Sequence, residues 1–139
     1  MARRSASRLE GFREASKQLG DMSRAMARGV GKRALIETGE ILARRVRANV
    51  APHNLTGETY ENVDVEPGRA KVGIAVEVVL AEIAGVELEF GNSDQEATPV
   101  FRPAIDSERQ AMDDTFAVLL PIEVDAAVIR KAKRAARKG

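Results

Sequence analysis

The chain contains no cysteine and no tryptophan, one tyrosine and one histidine. Without cysteine there is no disulfide framework, thiolate zinc site, iron–sulfur cluster or cysteine nucleophile. A lone His53 excludes a multi-histidine metal site within one chain. Aromatic residues make up 4% of the sequence. A stacking platform for single-stranded nucleic acid interleaves aromatics with cations. The basic runs Arg44–Arg47 and Arg130–Arg134 contain no aromatic residue. Any nucleic-acid contact is therefore expected to be to phosphate and blind to sequence. No apolar run approaches the roughly 20 residues that span a bilayer. Arg3-Arg4 has no apolar stretch behind it to make an export signal, so a cytoplasmic protein is expected.

At 139 residues the chain has the size of one domain, and 44% hydrophobic with 31% charged residues is an ordinary globular composition. The net charge of +1 conceals a strong segregation. Residues 1–50 carry twelve Lys/Arg and five Asp/Glu, a net of +7; residues 51–129 carry four and sixteen, a net of −12; residues 130–139 carry six cations and no acid. Two basic ends flank an acidic middle. Such asymmetry suits nucleic-acid contact, charge-complementary stacking of subunits, or a solvated surface whose ends pair with its middle.

Leu9, Phe12, Ser16, Leu19 and Met22 recur at helical steps. Gly29 and Gly31 predict a break, because glycine costs about 1 kcal/mol against alanine in a helix. A second helix is expected over 32–49, with Leu35, Thr38, Leu42, Val46 and Asn49 inward, and with Arg33, Glu37, Glu40, Arg44 and Arg47 outward. Glu40 and Arg44 stand in the favourable i, i+4 order. Pro52 stops this helix, since the residue before a proline is disfavoured in the helical region. Val63 and Val65 suit one face of a strand, Pro67-Gly68 a turn, and Val72, Ile74, Val76 and Val78 alternate as a second strand. Residues 82–90 suit either a short helix or a strand, and 91–98 have loop composition. Pro103 fits the first turn of a helix running to about residue 119. Pro121 should end it, with Asp125 capping a last helix over 126–138. The expected class is α+β: N-terminal helices, one of them long, a small antiparallel β-sheet with a hairpin, and one or two C-terminal helices. The chain reads as a single domain over 1–139, helical over 1–50, β-rich over 58–90 and helical over 99–138.

Catalytic groups do not converge in this sequence. His53 lies in a loop without a sequence partner for base catalysis. Glu87 and Glu89 are near neighbours on one segment, whereas paired-carboxylate chemistry needs two faces of a cleft. Gly29-Val30-Gly31-Lys32-Arg33 lacks phosphate-loop spacing and does not follow a strand. Asn54-Leu55-Thr56 matches a glycosylation acceptor that has no meaning without secretion. Neither an enzyme nor a cofactor is expected.

Three punctuated segments carry a resemblance. Pro52-His53-Asn54-Leu55-Thr56-Gly57 follows the long helix, Ile83-Ala84 leads to Glu89-Phe90-Gly91 after the hairpin, and Pro99-Val100-Phe101-Arg102-Pro103-Ala104 opens the next helix. In this order they resemble the neck, or tail-completion, proteins of long-tailed phages, over about residues 9–120. That family shows a Pro…Thr-Gly turn, then Tyr-Ala…Glu-Phe-Gly-Thr, then Pro-Phe-Leu-Arg-Pro-Ala. Here the first turn is one residue longer, Thr59 stands where leucine is usual, Ile83 replaces the aromatic and Asn92 the threonine.

The resemblance implies a structural ring, a hexamer, in the virion neck of a phage, prophage or gene-transfer particle. The ring would complete the tail and join it to the head-side connector or stopper, around the channel through which DNA leaves. Its partners would be further copies of itself, the connector, and the tail terminator or tail tube. A tail terminator capping the tube, or a DNA-binding protein outside virions using its basic termini, are the alternative readings. Glu89, Asn92, Ser93, Asp94, Gln95, Glu96 and Arg102 are the candidate interface residues, with Glu89 capping locally or meeting an arginine of a neighbour. Arg130, Lys131, Lys133, Arg134, Arg137 and Lys138 are candidates for DNA or an acidic partner. Pro52, Gly57, Gly91 and Pro103 are candidate structural turns, the two glycines at positive φ. Phe101 is expected to anchor in the core.

Overall fold

The computed structural model describes residues 2–53, 62–80 and 83–138, with side chains from residue 10 onward and, in the last span, from residue 86. Helix α1 spans Ala2–Gly20, α2 Arg24–Val50, α3 Ile83–Phe90 and α4 Phe101–Lys138; strands β1 and β2 span Val63–Pro67 and Val76–Leu80. The architecture is mixed α+β and mostly helical.

Ser23 starts α2 by accepting a hydrogen bond from the Met26 N–H at 3.3 Å. The expected break at Gly29 and Gly31 does not occur; the helix runs through both, and the chain turns instead at residues 21–23. Close packing compensates the propensity cost. A Cβ at Gly31 would lie 2.8 Å from the Ile74 Cδ1, and one at Gly39 would lie 3.0 Å from a Val65 methyl. These glycines let the hairpin approach the α2 backbone, which larger residues would prevent.

Two core clusters lie along α2. The first joins Ala15 of α1, Val30 and Ala34 of α2, and Leu120, Val124 and Ala127 of α4, rimmed by Phe12, Leu19, Met22, Met26, Phe116 and Leu119. Phe12 and Phe116 meet edge to face with centroids 6.4 Å apart. The second joins Ala43, Val46 and Val50 of α2 to Val63, Val100 and Ala104, with Leu42, Val65, Val78, Leu80 and Phe101 packed around it. The early part of α2 thus meets the late part of α4, and its end meets the start of α4, so the two helices run antiparallel. Buried Thr38 sits between the clusters and donates its hydroxyl to the Ala34 carbonyl at 2.8 Å.

Of the inward residues expected on α2, Thr38 and Val46 are buried, while Leu35, Leu42 and Asn49 are half-buried. Arg47 is not an outer residue: its Nη2 donates to the Val63 carbonyl at 2.6 Å, and its other nitrogen pairs with Glu40 at 3.6 Å. Glu40 therefore meets Arg47, not the expected Arg44. Val50 ends α2, yet Ala51 keeps helical angles and Ala51–His53 form a 3₁₀ turn, so Pro52 tightens the helix end without expelling its neighbour.

The hairpin is antiparallel, with Val63 opposite Leu80 and Pro67 opposite Val76. It differs from expectation at the turn. Pro67 is the last rung of β1, at the ladder's end where its lack of an N–H is tolerated. Residues 68–75 form the connection, closed by the Gly68 N–H on the Ala75 carbonyl at 2.9 Å. Val72 belongs to no strand and is 91% exposed. Gly73 at φ +82° turns the chain between Val72 and β2.

The largest correction concerns Pro121. It neither ends a helix nor precedes a capping Asp125; α4 continues unbroken for 38 residues with Pro121 inside and Asp125 an exposed helical residue. An interior proline costs about 3 kcal/mol. Leu120 and Val124 flank it and are buried, each worth about 1.5–3 kcal/mol. Breaking the helix would forfeit both together with Ala127, so packing outweighs the lost hydrogen bond.

Gly39→Leu is expected to lower stability by about 1–3 kcal/mol, because the added side chain is forced against Val65 and Val76. The urea midpoint of the variant checks this; an unchanged midpoint would mean the hairpin can move off α2 freely.

Candidate functional site

The N-terminus of α4 begins without a local cap. Thr98, Pro99 and Val100 precede it, and its first turn contains no acid. The missing acceptor comes from α3. Glu89 Oε2 accepts from the N–H groups of Val100 at 2.7 Å and Phe101 at 2.9 Å, and Oε1 accepts from Arg102 at 3.3 Å. The next residue, Pro103, has no N–H to satisfy. One carboxylate thus serves the open end of a 38-residue helix, where the helix dipole also favours negative charge. Between the two expected roles of Glu89, the structure shows local capping.

Partial burial pushes the Glu89 carboxyl up. The N–H groups of Phe101, Val100 and Arg102, with the Arg102 guanidinium charge, together outweigh it and hold the group below its ordinary 4.5.

Glu89 reaches the helix end because the intervening chain folds back tightly. The Gly91 N–H closes on the Glu87 carbonyl at 2.7 Å, and Gly91 adopts φ +74°. Asn92 and Gln95 exchange backbone hydrogen bonds, the Asp94 N–H bonds the Asn92 side chain, and the Thr98 N–H reaches the Leu88 carbonyl at 2.7 Å. A Cβ at Gly91 would lie 2.8 Å from the Ala97 nitrogen and 2.9 Å from the Gln95 carbonyl oxygen. The expected positive φ is present at Gly91; Gly57 lies outside the described residues. Inward, Leu88 and Val100 are buried; Asn49 Nδ2 donates to the Val100 carbonyl at 3.0 Å and ties the unit to α2. Outward, Val86 is 58% and Phe90 72% exposed.

The structure therefore brings Glu89, Asn92–Glu96 and Arg102 together at one end of the molecule. Asn92–Glu96 and Arg102 are exposed. Pro103 lies in the first turn of α4, as expected, although the helix starts two residues earlier. Pro52 stands in the 3₁₀ turn, and Phe101 is half-buried against the second core cluster.

The six C-terminal cations lie elsewhere. At 1.5 Å per residue, Arg130 stands about 42 Å along α4 from Arg102. Residues 128–138 are exposed throughout. A groove of about 480 Å³ is lined by Ser23, Met26, Gly29, Arg33, Arg130 and Arg134 among others. The basic ends behave differently. Arg33 pairs with Glu123 at 3.2 Å and Arg45 with Glu108 at 2.7 Å, so part of the N-terminal charge meets the acidic middle. Among the described residues, none of the six C-terminal cations makes an ion pair.

His53 is exposed in the 3₁₀ turn, Glu87 is exposed on α3, and no group of three potential metal ligands occurs among the described residues. No described helix is long and apolar enough to cross a membrane. Sequence reading offered Glu89 as a local cap but not which groups it serves, and it missed the outward Val86–Phe90 face. The absence of a capping side chain before Phe101 was the available clue to those groups. Comparison with family models, curated proteins and solved structures gives no match for the chain.

Glu89→Ala is expected to cost about 1–2 kcal/mol, the loss of a strong helix cap. Because the folded carboxyl is depressed, its contribution is fully present above the ordinary glutamate value and is lost as pH falls through the lowered folded value. The stability difference between wild type and Glu89→Gln should thus shrink on acidification; a difference that persists in acid would sink the capping account. Gly91→Ala should cost at least about 1 kcal/mol, since a Cβ is forced into the left-handed region against backbone atoms. Thermal melts equal to wild type would contradict it.

Proposed function

We propose that the protein is a structural component of the neck of a long-tailed phage or phage-like particle, forming a ring that completes the tail and joins it to the head-side connector around the DNA channel. The observation that carries the reading is the Glu89 cap. Two of the three segments behind the resemblance, Glu89-Phe90-Gly91 and Pro99–Ala104, are one physical unit: the acid of the first holds the helix start of the second. Their co-occurrence at this spacing has a mechanical reason. The ring is the expected hexamer, assembled in the bacterial cytoplasm, with the connector or stopper and the tail terminator or tube as neighbours. The surface suits a joining role, because a ring subunit must present two different faces that fit one another, and this chain carries an acidic loop and a basic helix end at opposite ends of α4.

The basic end favours docking on an acidic protein surface over lining the channel. A channel that passes DNA is poorly served by tight phosphate binding, and phosphate attraction dominates DNA affinity. The exposed cations also sustain a second reading, sequence-blind DNA contact at Arg130–Lys138.

Electron microscopy of a lysate lacking this protein tests the proposal. Filled heads and separate tails are expected. Abnormally long tails would assign it to the tail terminator instead, and normal particles would remove it from the neck. Truncation after Ile129 separates the two roles of the basic end: joined particles should be lost, whereas normal particles with altered DNA ejection would place the cations in the channel.

A further inference from the structure

The described surface holds two exposed apolar patches with rims of opposite charge. The first is the outer face of α3. Val86 and Phe90 stand one turn apart, both more than half exposed. Residues 81–100 contain five acids and no Lys or Arg. One of these acids, Glu89, is consumed by the cap; Glu87, Asp94 and Glu96 remain exposed around Phe90. The second patch lies on the last turns of α4. Ile129 is 55% and Val128 45% exposed. Ile122, two turns earlier, is equally open. Lys133 and Arg137 continue the Ile129 face at steps of four, with Arg130 beside it.

Each patch pairs an apolar centre with a rim of one sign. An exposed Phe or Ile costs hydration free energy that burial returns, at about 25 cal/mol per Å². A single-sign rim repels its own copy and attracts its opposite, which selects one mode of contact over others. A symmetric contact of either patch with itself would set acid on acid or cation on cation. Joining the first patch of one copy to the second patch of another satisfies both centres and both rims. We infer that the two patches are complementary halves of one head-to-tail contact between copies of this chain: Val86 and Phe90 of one copy dock against Val128 and Ile129 of the next, with Asp94 and Glu96 facing Lys133 and Arg137. This rests on the ring reading given above and names the surfaces that build it. A contact of this type is heterologous, so it leaves one free half at each end of a dimer and propagates until it closes. The patches are small, so purified protein associates weakly and in a salt-sensitive way.

The cysteine-free sequence makes the test clean, since only introduced thiols can bridge. Val86→Cys and Ile129→Cys proteins are prepared separately, tagged to differ in mass, mixed at high concentration and mildly oxidised. The mixed dimer should exceed both homodimers and decline as salt rises. Asp94→Lys with Glu96→Lys on the Val86→Cys chain should abolish it, and Lys133→Glu with Arg137→Glu on the other chain should restore it. All these positions are exposed, and circular dichroism confirms that the variants are folded. Homodimers in excess, equal bridging from a Val72→Cys control, or failure of the charge swap to restore bridging would each overturn the contact. The readout is independent of the particle. Separate heads and tails in the deletion lysate, combined with no mixed dimer, would remove this contact and leave the neck reading; the converse would remove the neck and keep the contact.

Discussion

The antiparallel packing of α2 on α4 is the constraint on which everything else rests. Every buried cluster described above draws residues from both helices. Helix α1 closes the first cluster from one side, and the hairpin closes the second from another. The glycines of α2 belong to the same constraint, because the hairpin and its connection lie close to the α2 backbone, Val65 at Gly39 and Ile74 at Gly31.

The Glu89 cap is the point where this frame becomes a candidate site. A carboxylate aimed at three backbone N–H groups links α3 to the start of α4, and the loop between them is tied back by its own backbone hydrogen bonds. The cap faces inward and the loop faces outward, so a single short stretch both stabilises the fold and presents an acidic, apolar-centred surface. The cap and the exposed apolar face therefore fall on neighbouring residues of α3: Glu89 holds the chain itself, while Val86 and Phe90 on the same helix stay exposed.

The sequence was legible where one local rule acted alone. The helical periodicity of α1, the end of α2 before Pro52, the pairing of the hairpin and the left-handed Gly91 all follow from short-range chemistry. It misled where tertiary packing overrode that chemistry. Gly29, Gly31 and Pro121 all read as punctuation, yet Val30, Ala34, Leu120 and Val124 bury enough apolar surface to carry the helices through them. The Pro67-Gly68 turn was misplaced because Gly73, not Gly68, takes the left-handed conformation. At the site, the loop could be read from its polar composition. Glu89 could be read, from its place beside the Gly91 turn, as a local cap or a neighbour's partner; the groups it caps lie eleven to thirteen residues away, which no local pattern encodes.

Helix α4 carries one patch at its start, through the Glu89 cap, and the other near its end. Pro121 lies between them, inside the helix. A proline there removes one backbone hydrogen bond and crowds the preceding turn, which is where a long helix bends most easily. In an assembly joined through the two patches, any bend there would enter the angle between successive subunits. The curvature of such an assembly, and with it the number of copies that would return to the starting point, would then depend on a residue that touches neither patch.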